Sequence, residues 1–165
     1  MFLLKSREVP ICPECGCRLK LRDHRKRVWK KEGGEKRWIM IPRYKCSNES
    51  CHRMHTALPD ILCKFKHYDN GIIEDVIDEV ISDNDTGFED YPCSATMMRW
   101  KSWLEKNINA IEGQMRSAGY RHLDFSEEFL KSTVSLLKEL RNIISPGWLK
   151  SILTFIYNSG GCLAT

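Results

Sequence analysis

The sequence predicts an α+β protein: an N-terminal β-hairpin carrying two cysteine knuckles, followed by a mainly α-helical domain. Three observations predict it. Cysteines pair at short spacing on either side of Gly33-Gly34, as Cys12/Cys15 and Cys46/Cys51; β-favouring residues flank the two glycines; and helical periodicity begins near Asn70 and runs to the end. Domains over 1–68 and 69–165 follow.

At 165 residues the chain buries one good core, or two small ones if a staple holds the smaller. The charged fraction of 29% and hydrophobic fraction of 42% are those of a soluble globular protein, and no apolar run approaches the roughly 20 residues of a membrane span. The opening Met1–Lys5 stretch is too short for a signal peptide, so a cytoplasmic location is expected. In that reducing compartment the eight cysteines read as metal ligands before disulfides.

Cys12-Pro-Glu-Cys15-Gly16 forms the first knuckle: two thiolates two residues apart grip one ion, and the glycine permits the tight turn that aims backbone amides at sulfur. Arg18 to Lys31 and Glu35 to Lys45 are the two strands, with Val28, Trp29, Trp38, Ile39 and Ile41 near a turn made by Gly33-Gly34. The hairpin returns the second knuckle, Cys46 and Cys51, beside the first. Four thiolates satisfy one Zn2+ completely and leave no open position for water, so the site is expected to be structural, the staple of a zinc ribbon. The second pair has a four-residue gap where two is usual, and His52 and His55 are alternative fourth ligands to Cys51. Cys17, one residue from Cys15, is expected as a small apolar residue, and Cys63, Cys93 and Cys162 as inert thiols.

Residues 1–68 carry a net +10 and residues 69–165 a net −6. The positive half is the footprint of a polyanion binder, since each neutralised phosphate releases counterions. Arg22, Arg25, Lys26, Arg27, Lys30, Lys31 and Arg43 concentrate on the hairpin and are the expected phosphate contacts, with Lys36, Arg37 and Lys45 nearby. Trp29 and Trp38 are interleaved with them. Exposed tryptophans stack on unpaired bases, but core positions are the favoured reading for both.

Pro59 to Asn70 is a connector. Ile72, Ile73, Val76, Ile77, Val80 and Ile81 then line one helical stripe, with Glu74, Asp75, Asp78 and Glu79 on the other face, and the helix is expected to end at the polar run 82–87. A second helix is expected over Ala95 to about Met115 with Ser94 as N-cap, and a third from Ser126 to about Ile144 with Leu130, Val134, Leu137, Leu140 and Ile144 on one face. A fourth is expected to open on Ser145-Pro146 and close at Gly160-Gly161. The first two read as helix-turn-helix-like, with Ser94, Thr96, Met97, Arg99, Lys101 and Ser102 exposed for a groove and Trp100, Trp103 and Leu104 facing the core. Residues 69–90, however, carry nine acids and no Lys or Arg, so either the first helix faces away from DNA or the helices belong to a protein-binding domain.

Cys12-Pro-Glu-Cys-Gly, the Arg22 to Arg27 run, Arg43-Tyr-Lys-Cys46, His55-Thr-Ala-Leu-Pro59 and Ser94-Ala-Thr-Met-Met-Arg-Trp100 together resemble the zinc-ribbon plus helix-turn-helix region that opens certain bacterial insertion-sequence transposases, which also occurs in small mobile-element proteins. The second cysteine pair resembles that of phage late-transcription activators. The resemblance covers roughly residues 10–105 and implies binding of transposon-end or operator DNA, with Cys12, Cys15, Cys46 and Cys51 as ligands. The 60 residues that follow are too few for a transposase catalytic domain. The expected function is therefore that of a non-enzymatic, zinc-dependent DNA-binding protein, a transcription regulator or accessory factor of a mobile element, with double-stranded DNA as partner. The alternative is a protein-interaction adaptor docking on a polymerase or recombinase, its helical domain forming a homo-oligomer interface.

Overall fold

In the computed structural model, which describes residues 2–3, 10–82, 92–122, 126–159 and 161–165, four strands form one sheet: β1 (Phe2–Leu3), β2 (Leu19–Lys30), β3 (Lys36–Cys46) and β4 (Met54–Thr56). The expected hairpin is present. β2 and β3 pair antiparallel from Leu19↔Cys46 to Lys30↔Lys36, with an irregularity between Leu21 and Asp23. Both turn glycines have left-handed φ, 69° at Gly33 and 71° at Gly34, a conformation that costs glycine nothing. The other edge of β3 is shared, β1 lying parallel at Ile39 and Met40 and β4 antiparallel at Arg43 to Lys45. Pro42, which has no N–H to donate, falls between these two paired stretches.

Among the described residues the chain divides into two compact units, one running to Asn70 and the other from Gly71 onward. The first has two small apolar clusters. One gathers Cys12, Leu19 and Cys46, with Tyr44, Cys17 and Cys51 against them. The other gathers Ile39, Ile41 and Leu62, with Trp29, Leu58 and Ile61. The connector thus supplies much of the second cluster, because a hairpin alone leaves Ile39 and Ile41 facing water. Backbone bonds tie it down, from Lys30 N–H to the His67 carbonyl (2.8 Å) and from Asp69 N–H to that of Lys30 (2.9 Å). The Trp29 indole donates to Asp69 Oδ2 at 2.9 Å. Trp38 departs from the expected core position: it lies on the opposite face of β3 from Ile39 and is 46% exposed.

The second unit is helical: α1 (Asn70–Ile77), α2 (Ser94–His122), α3 (Glu127–Lys131), α4 (Leu136–Ile143) and α5 (Trp148–Asn158). Met97, Trp100, Leu104, Asn107 and Ile111 recur along α2 at three- and four-residue steps, with Ala118 two turns further on, and all are buried, the spacing of a core-facing stripe. Asn107 is the polar member. Its side chain donates to the carbonyl of Trp103 (2.8 Å) and exchanges hydrogen bonds with the backbone of Ala164, accepting its N–H at 2.8 Å. The Trp103 indole also donates to the Ala164 carbonyl, at 2.8 Å, so the C-terminal residues are strapped to α2. None of the described helices is long and apolar enough to cross a membrane.

Several expected boundaries move, each for a local reason. α1 ends at Ile77, four residues short of the aliphatic stripe. Glu79 takes left-handed φ of 61°, while Val80 N–H bonds the Asp75 carbonyl (2.8 Å) and Glu79 N–H that of Val76 (3.4 Å), the two bonds of a Schellman stop. Val80 is left 71% exposed. Glu74, expected on the polar face, is 3% exposed and accepts from the backbone N–H groups of Gly147 (2.5 Å) and Leu149 (2.9 Å) at the start of α5. That carboxylate explains why α5 opens at Trp148 rather than on Ser145-Pro146: Gly147, at φ 115°, is the N-cap and has no side chain, so the cap comes from another helix. Asp78 likewise accepts from the Trp148 indole at 2.8 Å and pairs with Arg141.

The expected helix from Ser126 to Ile144 is two, broken at 132–135. Ser135 caps α4, its hydroxyl accepting from Lys138 N–H at 3.1 Å. Arg116 of α2 holds Ser132 Oγ (3.2 Å) and the Val134 carbonyl in the break, and Val134 and Ile144 are exposed rather than on a buried face. Residues 83–87, Tyr91, Gly160 and the side chain of Leu130 lie outside what is described. α2 runs further than expected, through His122, and begins at Ser94 itself, with Thr96 and Met97 bonded back to the Cys93 carbonyl.

Two predictions follow from these caps. Glu74→Ala strips one buried and one part-buried N–H group of their acceptor and is expected to destabilise the chain by about 2–3 kcal/mol in denaturant titration, whereas Glu105→Ala, on the exposed side of α2, is expected to change stability little. Glu112 accepts from Ser135 Oγ (2.7 Å) and from the N–H groups of Leu136 (3.1 Å) and Leu137 (3.0 Å). Burial raises its pKa, but these hydrogen bonds outweigh it, and the carboxyl is held below its ordinary 4.5. The folded value lies under the unfolded one, so its stabilisation is complete above the unfolded value and vanishes as pH falls through the lowered folded value. Acid unfolding of Glu112→Gln is expected to show a shallower loss of stability over that window.

Candidate metal centre

The pairing register of β2 with β3 sets Leu19 opposite Cys46, and with it the ends of the hairpin that carry the four cysteines. The first knuckle is a tight loop closed by Cys12 N–H to the Cys17 carbonyl and Gly16 N–H to that of Cys12, both at 2.8 Å. Gly16 has φ 70°, the left-handed turn that the sequence assigns to it. In the second knuckle the Asn48 N–H points at Cys46 Sγ (3.4 Å). Cys51 and His52 N–H both bond the Asn48 carbonyl (3.1 Å), so the chain between the cysteines coils through one turn. The four-residue gap is thereby absorbed and Cys51 returns beside Cys46.

The thiols of Cys12, Cys15, Cys46 and Cys51 all lie within 4.8 Å of one another. Cys12 and Cys51 are 3.8 Å apart and Cys15 and Cys46 3.4 Å. Four sulfurs at ~2.3 Å from a central ion in a tetrahedron would be ~3.8 Å apart, so the cluster is compatible with a zinc site. Of the two histidines weighed as a fourth ligand, His52 is exposed and sits at φ 47°. His55, placed on β4 opposite Tyr44, brings Nε2 to 3.3 Å from Cys12 Sγ. There it can hydrogen-bond a sulfur of the cluster, a contact that sequence spacing does not signal.

The four thiols do not titrate alike: Cys12 and Cys15 are lowered, Cys46 and Cys51 raised. The Cys17 amide and the Cys46 side chain lower Cys15 to about 6. At Cys46 the Asn48 amide lowers, but burial and the neighbouring sulfurs dominate and push the thiol up to about 12. Four thiolates at this spacing repel, and a dication is the natural relief. Cys17 packs at the rim and its thiol is raised, chiefly by Cys15.

The basic residues divide into two sets. Arg27 turns inward, donating to the carbonyls of Cys63 (3.1 Å) and Lys66 (2.7 Å), and burial lowers its pKa. Arg43 forms a two-pronged pair with Asp23, both bonds 2.6 Å, which holds the Asp23 carboxyl below its ordinary range. Lys30 bonds Tyr68 Oη (3.2 Å) and Lys31 lies over the Trp29 ring (5.3 Å). Arg22, Arg25 and Lys26 are exposed on β2. On α2, Ser94 and Arg99 are exposed, Thr96 Oγ1 is 3.4 Å from Cys93 Sγ, and Lys101 pairs with Glu79 at 3.0 Å. Met97, expected at the exposed face, is 4% exposed and belongs to the core.

Cobalt substitution of the full chain is expected to bind one ion with the charge-transfer spectrum of four thiolates, and Cys46→Ser to abolish it. His55→Ala should keep that stoichiometry while weakening affinity on the order of tenfold; loss of a ligand-field feature in this variant would instead make His55 a ligand.

The family described as Domain of unknown function (DUF6431) matches residues 12–100, from the first of the four clustered cysteines into α2. No curated protein and no solved structure matches the chain. The match spans more than half of the 165 residues and takes in all four clustered cysteines, and the chain belongs to the DUF6431 family.

Proposed function

We propose that the chain is a DNA-binding protein whose N-terminal unit is a zinc ribbon, with one structural Zn2+ held by Cys12, Cys15, Cys46 and Cys51. The observation that carries the proposal is the cysteine cluster at the open end of a hairpin whose strands expose Lys20, Arg22, Arg25, Lys26, Lys36 and Lys45. A fully thiolate-ligated ion offers no site for water and does no chemistry of its own, so its part is to hold the strands in register. The exposed cations then form a β-ribbon that tracks phosphates. Arg27 and Arg43 support that ribbon from within, through carbonyls and Asp23.

In the helical unit, Ser94 and Arg99 would add a contact in the manner of a recognition helix, at the start of α2. The helix-turn-helix reading differs from the compact motif in the sixteen residues that separate α1 from α2. A regulator or accessory factor of a mobile element is the role we assign, on the motif resemblance of residues 10–105.

Duplex-DNA affinity of the zinc-loaded chain is expected to fall steeply with salt, with a log–log slope that drops by about one for each phosphate-contacting cation removed, as in Arg25→Ala. Absence of duplex binding at low ionic strength would refute the proposal and favour the adaptor reading.

A further inference from the structure

Cross-strand partners in an antiparallel sheet share a face, and the register places Lys26 opposite Met40, Val28 opposite Trp38 and Lys30 opposite Lys36. Trp38 therefore stands at the centre of the face turned away from Ile39 and Ile41, with Val28 across from it and three lysines around it. The indole is 46% exposed even with the Lys26 ammonium seated 4.2 Å from its ring centroid. Val28 and Met40 are half-buried beside it and give the ring an apolar floor.

From this juxtaposition we infer that the outer face of the hairpin binds single-stranded nucleic acid, an unpaired base stacking on Trp38 while Lys26 and Lys36 meet its flanking phosphates and Lys30 stays with Tyr68. The inference rests on the nucleic-acid reading above and narrows it. Every base in a duplex interior already has neighbours on both faces, so phosphate tracking along a duplex has no use for an exposed indole. An unpaired base offers a free π-face, and a large aromatic ring set among cations is the element that takes it. Charge complementarity selects the same occupant, because the unit that carries this face is strongly basic and the ring carries the Lys26 ammonium, with lysines and no carboxylate among the paired positions from Lys26↔Met40 to Lys30↔Lys36.

The test uses the metal-loaded full chain with a short oligothymidylate, a hairpin duplex of equal phosphate number and polyglutamate, followed by anisotropy and intrinsic tryptophan fluorescence at low ionic strength. Wild type is expected to bind the oligothymidylate with quenching. Trp38→Ala should lose about tenfold in affinity for it and most of the quenching, keep its duplex affinity and retain the cobalt spectrum of the wild type. Trp38→Phe should recover most of the affinity.

Unchanged oligothymidylate binding by Trp38→Ala, or an equal loss on both nucleic acids, would overturn the inference. So would polyglutamate binding as tight as that of the oligothymidylate. Wild type that binds the duplex and not the single strand overturns it while leaving the duplex reading in place; binding to neither removes both.

Discussion

The β2–β3 register is the constraint on which the N-terminal unit depends. Leu19 opposite Cys46 brings two loops, more than thirty residues apart in sequence, to one point where four sulfurs fall within 4.8 Å. A slip of one residue would invert the faces of a strand, sending Ile39 and Ile41 to solvent and Cys46 away from Cys15. Register and thiol cluster therefore enforce one another. This matters because the apolar reserve among the described residues is small, two clusters of three buried residues each, and four-thiolate metal sites contribute apparent free energies on the order of 10 kcal/mol where they form.

Charge is handled differently in the helical unit. Its acids are drawn into the fold as caps: Glu74 serves the start of α5 and Glu112 the start of α4, each a carboxylate on one helix satisfying the orphan N–H groups of another. A carboxylate at a helix N-terminus gains from the dipole as well as from the hydrogen bonds. Asp78 and Arg141 add a pair beside the Trp148 indole. Three of the acids that composition assigns to this half, Glu74, Asp78 and Glu112, thus have structural work inside the fold, while Glu105, Glu127, Glu128 and Glu139 stay exposed.

The basic half shows the converse. Arg27 and Arg43 are engaged by carbonyls and by Asp23, and Arg25, Lys26 and Lys36 remain outward. Guanidinium groups suit the inward role because their fork of donors matches paired acceptors, while lysines suit a hydrated surface.

The sequence by itself determined what depends on short-range chemistry: the α+β class, the two knuckles, the positive-φ turn at Gly33-Gly34, the aliphatic face of α1 and the identity of the four clustered cysteines. Each follows from spacing, periodicity or the conformational freedom of glycine. Only the tertiary structure decided what depends on partners distant in the chain. Val80 was exposed by a backbone stop at Glu79, and Glu74 was buried because α5 lacks a capping side chain. The 132–135 break was set by Ser135, Arg116 and Glu112 together, and Met97 and Trp38 exchanged their expected places between surface and core. For the polar groups the reason is that position is chosen by the donor or acceptor to be satisfied, which lies on another element where periodicity along one element carries no information; Met97 and Trp38 are placed by which face of their own element is covered.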